Sequence, residues 1–544
     1  MSESMNNSPK RLRNPASQGQ DLRAAQEAVR KYQNLAAQRP EAFLPYLSAS
    51  LSSLSSELSD NGLREEALGA AQEAAEILSK LAAKQPDVFL PDLARSLTRL
   101  GATLTDVGRG EEGLKAASEA MDILRKLAAQ RPDAFLPDLA GSLNNLCSRL
   151  SNLGRREEAL KAAQEAADIH RNLAAHRPDT FLPELGRSLS NLGLMLRDLG
   201  RREEALKAAR DGVKIYHKLS AQHRDAFLPE LAMSLNNLGT MLSDLGRREE
   251  ALKAAQEATD IYRQLADQHP DAFLPDLASS LNNLGNVLSI LGRLENTLKC
   301  AQEGTDISRR LAAQRPDAYL GDLAMSLTNL SSSLSLLGRQ KEALTAAEEA
   351  AGIYRGLAAE RPDAFLPDLA MSLNNLGNRL SESGRCEEAL MAAQEAADID
   401  RKLAAQRPDA FLPDLAVSLN NLGNRLSELG RREEALVATE ESTALYRKLA
   451  AQRPDAFTVD LVRSLGTLSV CYGQMRDHTK AKEAIEEALR KLAPVFLKLP
   501  QAFEALMGAL VRGYAEVVEG CGAQADMKLL GPVQDALKKL KPSG

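Results

Sequence analysis

Asparagine is the residue whose spacing first asks for chemistry. Numbered from the first proline of a recurring "PDAFLPDLA" segment, unit position 14 is Asn145, Asn191, Asn237, Asn283, Asn329, Asn375 and Asn421. Position 13 adds Asn144, Asn236, Asn282, Asn374 and Asn420, and position 17 adds Asn286, Asn378 and Asn424. Asparagine is a weak helix former, so its recurrence needs a reason. Its side-chain amide both donates and accepts, and a ladder of such amides could grip the backbone of an extended peptide. Two plainer explanations compete: the amides bond the adjacent repeat, or recent duplication copied them. Position 10 varies instead, as Arg95, Gly141, Arg187, Met233, Ser279, Met325, Met371, Val417 and Arg463. Met233, Met325 and Met371 are either an adaptable apolar lining or partly buried packing. Arg95 and Arg187 would add local selectivity.

Other residue types assemble no catalytic or metal centre in this reading. His176, His223 and His269 close successive helical segments but bring no Cys or carboxylate cluster. The Glu pairs 157/158, 203/204 and 433/434 are adjacent, so they point apart on a helix and serve its dipole and solubility. No G-x-x-x-x-G-K-[ST] loop or G-x-S-x-G elbow occurs, and Cys471 near His478 lacks any protease context. We expect no enzyme activity, no cofactor and no metal. The five Cys are scattered, as in a reduced cytoplasmic protein. A net charge of −6, from 68 Lys+Arg and 74 Asp+Glu, gives no global field for nucleic acid or anionic lipid. No apolar run approaches the ~18 residues of a membrane span.

The elements that must position these residues repeat every 46 residues. The anchor proline stands at Pro40, Pro86, Pro132, Pro178, Pro270, Pro316, Pro362, Pro408, Pro454 and Pro500, with Arg224 in the one gap. So constant a period means stacked copies of one supersecondary unit. We expect a polar disordered tail over 1–20, a half-repeat helix over 21–39, ten repeats over 40–499 and a degenerate capping repeat over 500–544. Within a unit, Leu at positions 8, 12, 15 and 19 marks one helical face, as in Leu277, Leu281, Leu284 and Leu288. A Gly such as Gly292 then stops the helix. The second helix would bury Ala251, Ala255, Ala258, Ile261 and Leu265 in the fifth unit. Position 16 is always Gly, Ser or Cys, which allows close helix approach. Position 4 is Phe, or Tyr319 once, and is expected to fill the core between hairpins. Pro at positions 1 and 6 suits a first turn or an extended lead-in, so the helix start stays open by a few residues. The last unit opens with an apolar "QAFEALMGALVRGYAEVVEG" stretch that is either a cap or a docking surface.

The run Leu281-Asn282-Asn283-Leu284-Gly285, with Leu288, Gly292, "REEAL"-type residues, Ala251 and Ala258, resembles the tetratricopeptide repeat. The unit is most similar to the longer variant of kinesin light chains, with "LNNLA" and "EEA" segments. The resemblance spans about Asp21 to Leu499. It implies an all-α, right-handed superhelical solenoid of antiparallel helical hairpins whose first helices line a concave groove. It implies a non-catalytic scaffold for a protein or extended peptide, with self-association left open. The alternative is a regulatory or sensor subunit for a separate ATPase or caspase-like protease. The carboxylate clamp of chaperone-binding relatives is matched only by Arg95 and Arg99, because position 13 holds Ser52, Thr98 and Asn144 where a Lys belongs.

Overall fold

A computed structural model describes residues 15–522 and 524–540. Every described element is an α-helix. A lone helix, α1 (Pro15–Gln38), precedes the hairpins; residues 1–14 of the expected tail lie outside the described residues. Helical pairs follow at the sequence period: α2 (Pro40–Asp60) with α3 (Arg64–Lys84), α4 (Pro86–Asp106) with α5 (Gly110–Gln130), and α6 (Pro132–Asn152) with α7 (Arg156–His176). Next come α8 (Pro178–Asp198) and α9 (Arg202–Gln222), α10 (Arg224–Asp244) and α11 (Arg248–Gln268), and α12 (Pro270–Ile290) and α13 (Leu294–Gln314). The series continues with α14 (Pro316–Leu336) and α15 (Gln340–Glu360), α16 (Pro362–Glu382) and α17 (Cys386–Gln406), and α18 (Pro408–Glu428) and α19 (Arg432–Gln452). It closes with α20 (Pro454–Gln474), α21 (His478–Lys498), α22 (Pro500–Gly520) and the shorter α23 (Met527–Leu540).

Each first helix begins at the first anchor proline, except α10, which begins at Arg224. The residue before it is extended, as at Arg315 with φ −139° and ψ 78°, the conformation a following proline demands. Proline as first helical residue loses no bond, since that N–H has no intrahelical acceptor. The second proline, such as Pro275, lies inside the helix and gives up one backbone bond there. At the other end Gly292 adopts φ +71°, and Arg293 N–H reaches back to the Leu288 carbonyl at 2.9 Å. That is the six-to-one closure of a helix ended by glycine. The tenth hairpin departs: Arg476 stands in the glycine's place at φ 63°.

Consecutive helices pack in sequence order from α1 to α7 and from α11 to α23, building a helical solenoid hairpin on hairpin. The described chain divides into two compact units, the residues to Leu196 with Lys207–Glu230, and Arg197–Leu206 with Leu231 onward. In the second unit, successive first helices α12, α14, α16, α18, α20 and α22 touch one another directly. Such direct contact places the first helices on the inner side of that stack. Within a hairpin the helices cross closely at position 16. A Cβ on Gly377 would lie 3.3 Å from the Ala389 carbonyl oxygen. Where serine replaces the glycine, its hydroxyl donates to that same carbonyl, as Ser331 does to Ala343 at 2.7 Å.

The buried face of the second helix corrects the sequence expectation by one residue. Ala251, Ala255, Ala258 and Leu265 are buried, but Ile261 is only half-buried and Tyr262 takes the core position. Position 39, not 38, continues the helical face from 28, 32 and 35 to 42, because 4-3-4-3 steps track 3.6 residues per turn. Position 4 aromatics lie between hairpins under an arginine lid: the guanidinium of Arg131 sits 4.9 Å above the Phe135 ring. Phe135, Phe181 and Phe457 are buried, while Phe273 and Phe365 are half-buried. The chain's last segment covers its own end. Leu530 and Val533 of α23 are buried in the same apolar cluster as Phe496, Leu510 and Tyr514.

Candidate functional site, a face of the first helices

Positions 3, 7, 10, 14, 17 and 21 of a first helix fall on one side, because 100° per residue brings them within about a quarter turn. Most of the residues singled out above lie there. Asn145 is exposed, and Asn191, Asn237, Asn283, Asn329, Asn375 and Asn421 are half-buried. Asn286 is exposed, with Asn378 and Asn424 half-buried. Asn283, Asn329 and Asn375 form no side-chain hydrogen bond among the described residues. The side chain of Met325 is 40% exposed, that of Met371 47% and that of Val417 44%. These three share one row on α14, α16 and α18 and are exposed there. Met233 and Arg187 are half-buried, and Arg95 is exposed and paired with Asp92.

Position 13 points elsewhere. Asn144 and Asn236 are buried, and Asn282, Asn374 and Asn420 are half-buried. Asn144 Nδ2 donates to Ser188 Oγ at 2.8 Å, Asn374 Nδ2 to Ser418 Oγ at 2.7 Å, and Asn282 Nδ2 to Ser326 Oγ at 3.4 Å. In the fifth hairpin the direction reverses, with Ser280 Oγ donating to Asn236 Oδ1 at 3.1 Å. Each bond joins one hairpin to the next. These amides thus occupy the joints of the stack. Two position-14 amides lean on them, Asn191 on Asn144 and Asn421 on Asn374.

Sequence reading missed two members of these joints. One is the serine at position 11, which is the hub. Ser188, Ser280, Ser326, Ser418 and Ser464 are buried and bonded across the joint. Its signal was in plain view as the invariant Ser of "SLNNLG". The other is position 39, whose side chain changes from joint to joint. His170 Nδ1 meets Ser188 Oγ at 2.8 Å, and Ser308 Oγ meets Ser326 Oγ at 3.0 Å. Asp400 accepts from Ser418, while Tyr216 and Tyr354 donate to the carbonyls of Pro183 and Gly321. Burial, helped by Arg187, pushes His170 down to about 4. Burial pushes Asp400 up to about 7, the Ser418 bond lowers it and Asp414 adds to the rise. His176, His223 and His269 are all exposed.

The outer face carries a different ladder. Arg at position 40 pairs with Glu at position 34 of the next hairpin: Arg309 to Glu349 at 2.8 Å, Arg355 to Glu395 at 2.7 Å, Arg447 to Glu487 at 2.6 Å. Where an Arg precedes the second helix it clasps the Glu three residues on, as Arg155 does Glu158 at 2.7 Å, which lowers that carboxyl's pKa. Among the described residues no helix is long and apolar enough to cross a membrane, and no cluster has a metal-holding set of His, Cys, Asp and Glu.

The tetratricopeptide repeat family matches residues 139–175, 185–225, 231–271, 277–313, 323–358, 369–404 and 415–452, and a second model of that description matches 462–490. No curated protein matches the chain. Among solved structures, BtubC (BKLC) from P. vanneervenii is similar at 21% identity and a TM-score of 0.37, covering 46% of this chain and 92% of its own. A Podosopora anserina putative kinesin light chain with nearly identical TPR-like repeats is similar at 19% identity and a TM-score of 0.32, covering 41% and 97%. A Rap protein complexed with competence and sporulation factor is similar at 12% identity and a TM-score of 0.45, covering 75% and 99%.

Proposed function

From the premise that this chain belongs to the tetratricopeptide repeat family, we propose that it is a non-catalytic scaffold that holds an extended peptide on the first-helix face. The observation that carries this reading is the division of labour among the asparagines. Position 13 is engaged in the joints, whereas Asn283, Asn329 and Asn375 present amides on the accessible face of three consecutive hairpins. A peptide backbone offers alternating donors and acceptors, which such amides match without reading its side chains. The proposal includes a cytoplasmic setting, with protein and not nucleic acid or membrane as partner. In it α1 and the last hairpin serve as caps, since end units have a neighbour on one side only.

The test is a pull-down with mass spectrometry, comparing wild type with the Asn283→Ala, Asn329→Ala, Asn375→Ala variant. Circular dichroism and a melt establish that the variant stays folded. Loss of specific partners from the folded variant supports the reading. Retention of the same partners overturns it and moves attention to the outer faces.

A further inference from the structure

Within the second compact unit the chain returns against itself. The turn between α10 and α11 meets the start of α22, six hairpins further along. Arg248 Nη2 donates to the Gln501 carbonyl at 2.7 Å, and a Cβ added to Gly246 would lie 3.0 Å from that of Ala502. The contact marks the burial of that turn, since Leu245 and Gly246 are both buried. The same offset recurs one hairpin earlier. Burial raises the pKa of Asp460 in α20, and Arg463 and then Arg202, the first residue of α9, lower it. Unit positions 23 and 25 of one hairpin therefore face positions 2, 3 and 7 of the hairpin six further on.

The next two turns are uncovered, and their chemistry differs. Leu291 and Leu337 are half-buried where Leu245 is buried, and Gly292 and Gly338 are exposed. Position 21 is Asp, Asn, Glu or Gln in eight of the ten repeats over 40–499, but in the sixth and seventh it is Ile290 and Leu336, 47% and 55% exposed. Position 25, arginine at Arg202 and Arg248, is Leu294 in the sixth. The facing positions change in the same sense at the start of the first two hairpins. Position 7, Asp or Glu in the other nine of those repeats, is Tyr46, stacked on Tyr32 at 5.6 Å and still 57% exposed. Position 3, Ala or Thr in every other unit, is Val88 in the second, 58% exposed. Exposed apolar side chains gathered in this way mark a contact surface.

We propose that these two edges meet between copies: the turns of α12–α13 and α14–α15 seat the starts of α2 and α4 of a second copy of this chain. Continuity with the internal contact names the occupant. Against the sixth turn, the second copy's first hairpin takes the place that the eleventh takes against the fifth. Leu294 then faces Tyr46 where Arg202 faces Asp460. Gly338, with Leu336 beside it, faces Val88 where Gly246 faces Ala502. Apolar residues replace ionic ones on both edges at the same rungs, so a shifted register would bury a charge against a leucine. The interface is heterologous, one copy's turns on the next copy's start, and it can extend from copy to copy. It uses none of Asn283, Asn329 and Asn375 and stands independently of the peptide-scaffold reading.

The experiment is sedimentation velocity on the full chain over about two decades of concentration, where the weight-average mass should rise beyond that of one chain. Leu294→Arg with Leu336→Glu installs the residue types of Arg248 and Glu382, which the repeat carries at those positions elsewhere. Tyr46→Asp with Val88→Ala installs those of Asp92 and Ala134. Each double variant should raise the concentration of half-association about tenfold or more, with circular dichroism and a melt matching wild type. Mixed in equal amounts, the two variants should form a one-to-one dimer and grow no further, because the first keeps its start edge and the second its turn edge. A wild type that stays monomeric overturns the proposal, as does association unchanged in either folded variant. Mixed variants that remain monomers overturn the pairing of these two edges. A monomeric wild type whose binding of an apolar dye is lost in the turn variant overturns the second copy as occupant and assigns the turns to a different apolar partner.

Discussion

Position 39 gives each joint of the stack a chemical character of its own, and two joints answer pH in opposite senses. His170 is held neutral, its pKa lowered from 6.5 to about 4 by burial. Its contribution is present above the unfolded value and lost as pH falls from about 6.5 toward about 4. Asp400 has the reverse shift, from 3.8 to about 7, so the folded chain keeps a proton the unfolded chain releases. That joint is firmest below about 4 and weakens as pH rises to about 7. Amide exchange across α7–α8 and α17–α18, corrected for intrinsic rates, should therefore trend in opposite directions between pH 5 and 7.5. Asp400→Asn should flatten the second trend; a trend unchanged in that variant would show another group at work. A further residue-scale prediction concerns Arg476, the one non-glycine at positive φ among the described residues. Arg476→Gly should stabilise the α20–α21 hairpin by about 1 kcal/mol, read as slower local exchange there.

At the scale of the hairpin, the decisive quantity is how near two helices come. A Cβ on Gly101 would stand 2.8 Å from the Gly113 carbonyl oxygen and 3.4 Å from the Arg149 guanidinium carbon. Gly101→Ala must push the helices apart, at a cost of about 1–3 kcal/mol. Gly352 and Gly356 in α15 face open space. Replacing either with alanine should gain about 0.5–1 kcal/mol from helix propensity alone. Chemical denaturation of the three variants separates these cases, and a stabilised Gly101→Ala would refute the close crossing. The aromatic at position 4 works between hairpins. Phe135→Ala should cost about 3–5 kcal/mol locally, and half-buried Phe273→Ala less, judged by melts and exchange. A Phe135→Ala melt identical to wild type would remove that residue from the core.

In the solenoid as a whole, stability is close to a sum over hairpins and the joints between them. The outer Arg–Glu ladder adds little per rung, about 0.2–1 kcal/mol for an exposed pair, and weakens with salt. The apolar joints carry more, so an uncovered end is the vulnerable place. A chain cut before Pro500 would lay open the side of Ile485, Leu489, Leu492 and Phe496 that α22 and α23 cover. We expect that truncation to self-associate with rising concentration in light scattering, while the full chain does so less. A truncated chain as monodisperse as the full one would mean that the last hairpin caps nothing.

Much of this was legible from residues alone, for reasons that are local. A helical face is set by spacing within one segment, so the leucines at 277, 281, 284 and 288 declare their burial without reference to any neighbour. A glycine that ends a helix does so through its own φ, and Gly292 needs no partner to be understood. Adjacent asparagines such as Asn374 and Asn375 carry no such local distinction. One faces the next hairpin and bonds Ser418, and the other faces outward, because 100° of helical rotation separates them and only the neighbour's position says which direction is occupied. The same holds for Asp400, which reads as a solvated acid in sequence and becomes a buried one when α18 closes over it. Period, hairpin and turn belong to the chain itself. The satisfaction of each polar group, and hence the choice of residues left to meet a partner, depends on groups brought together from hairpins dozens of residues apart.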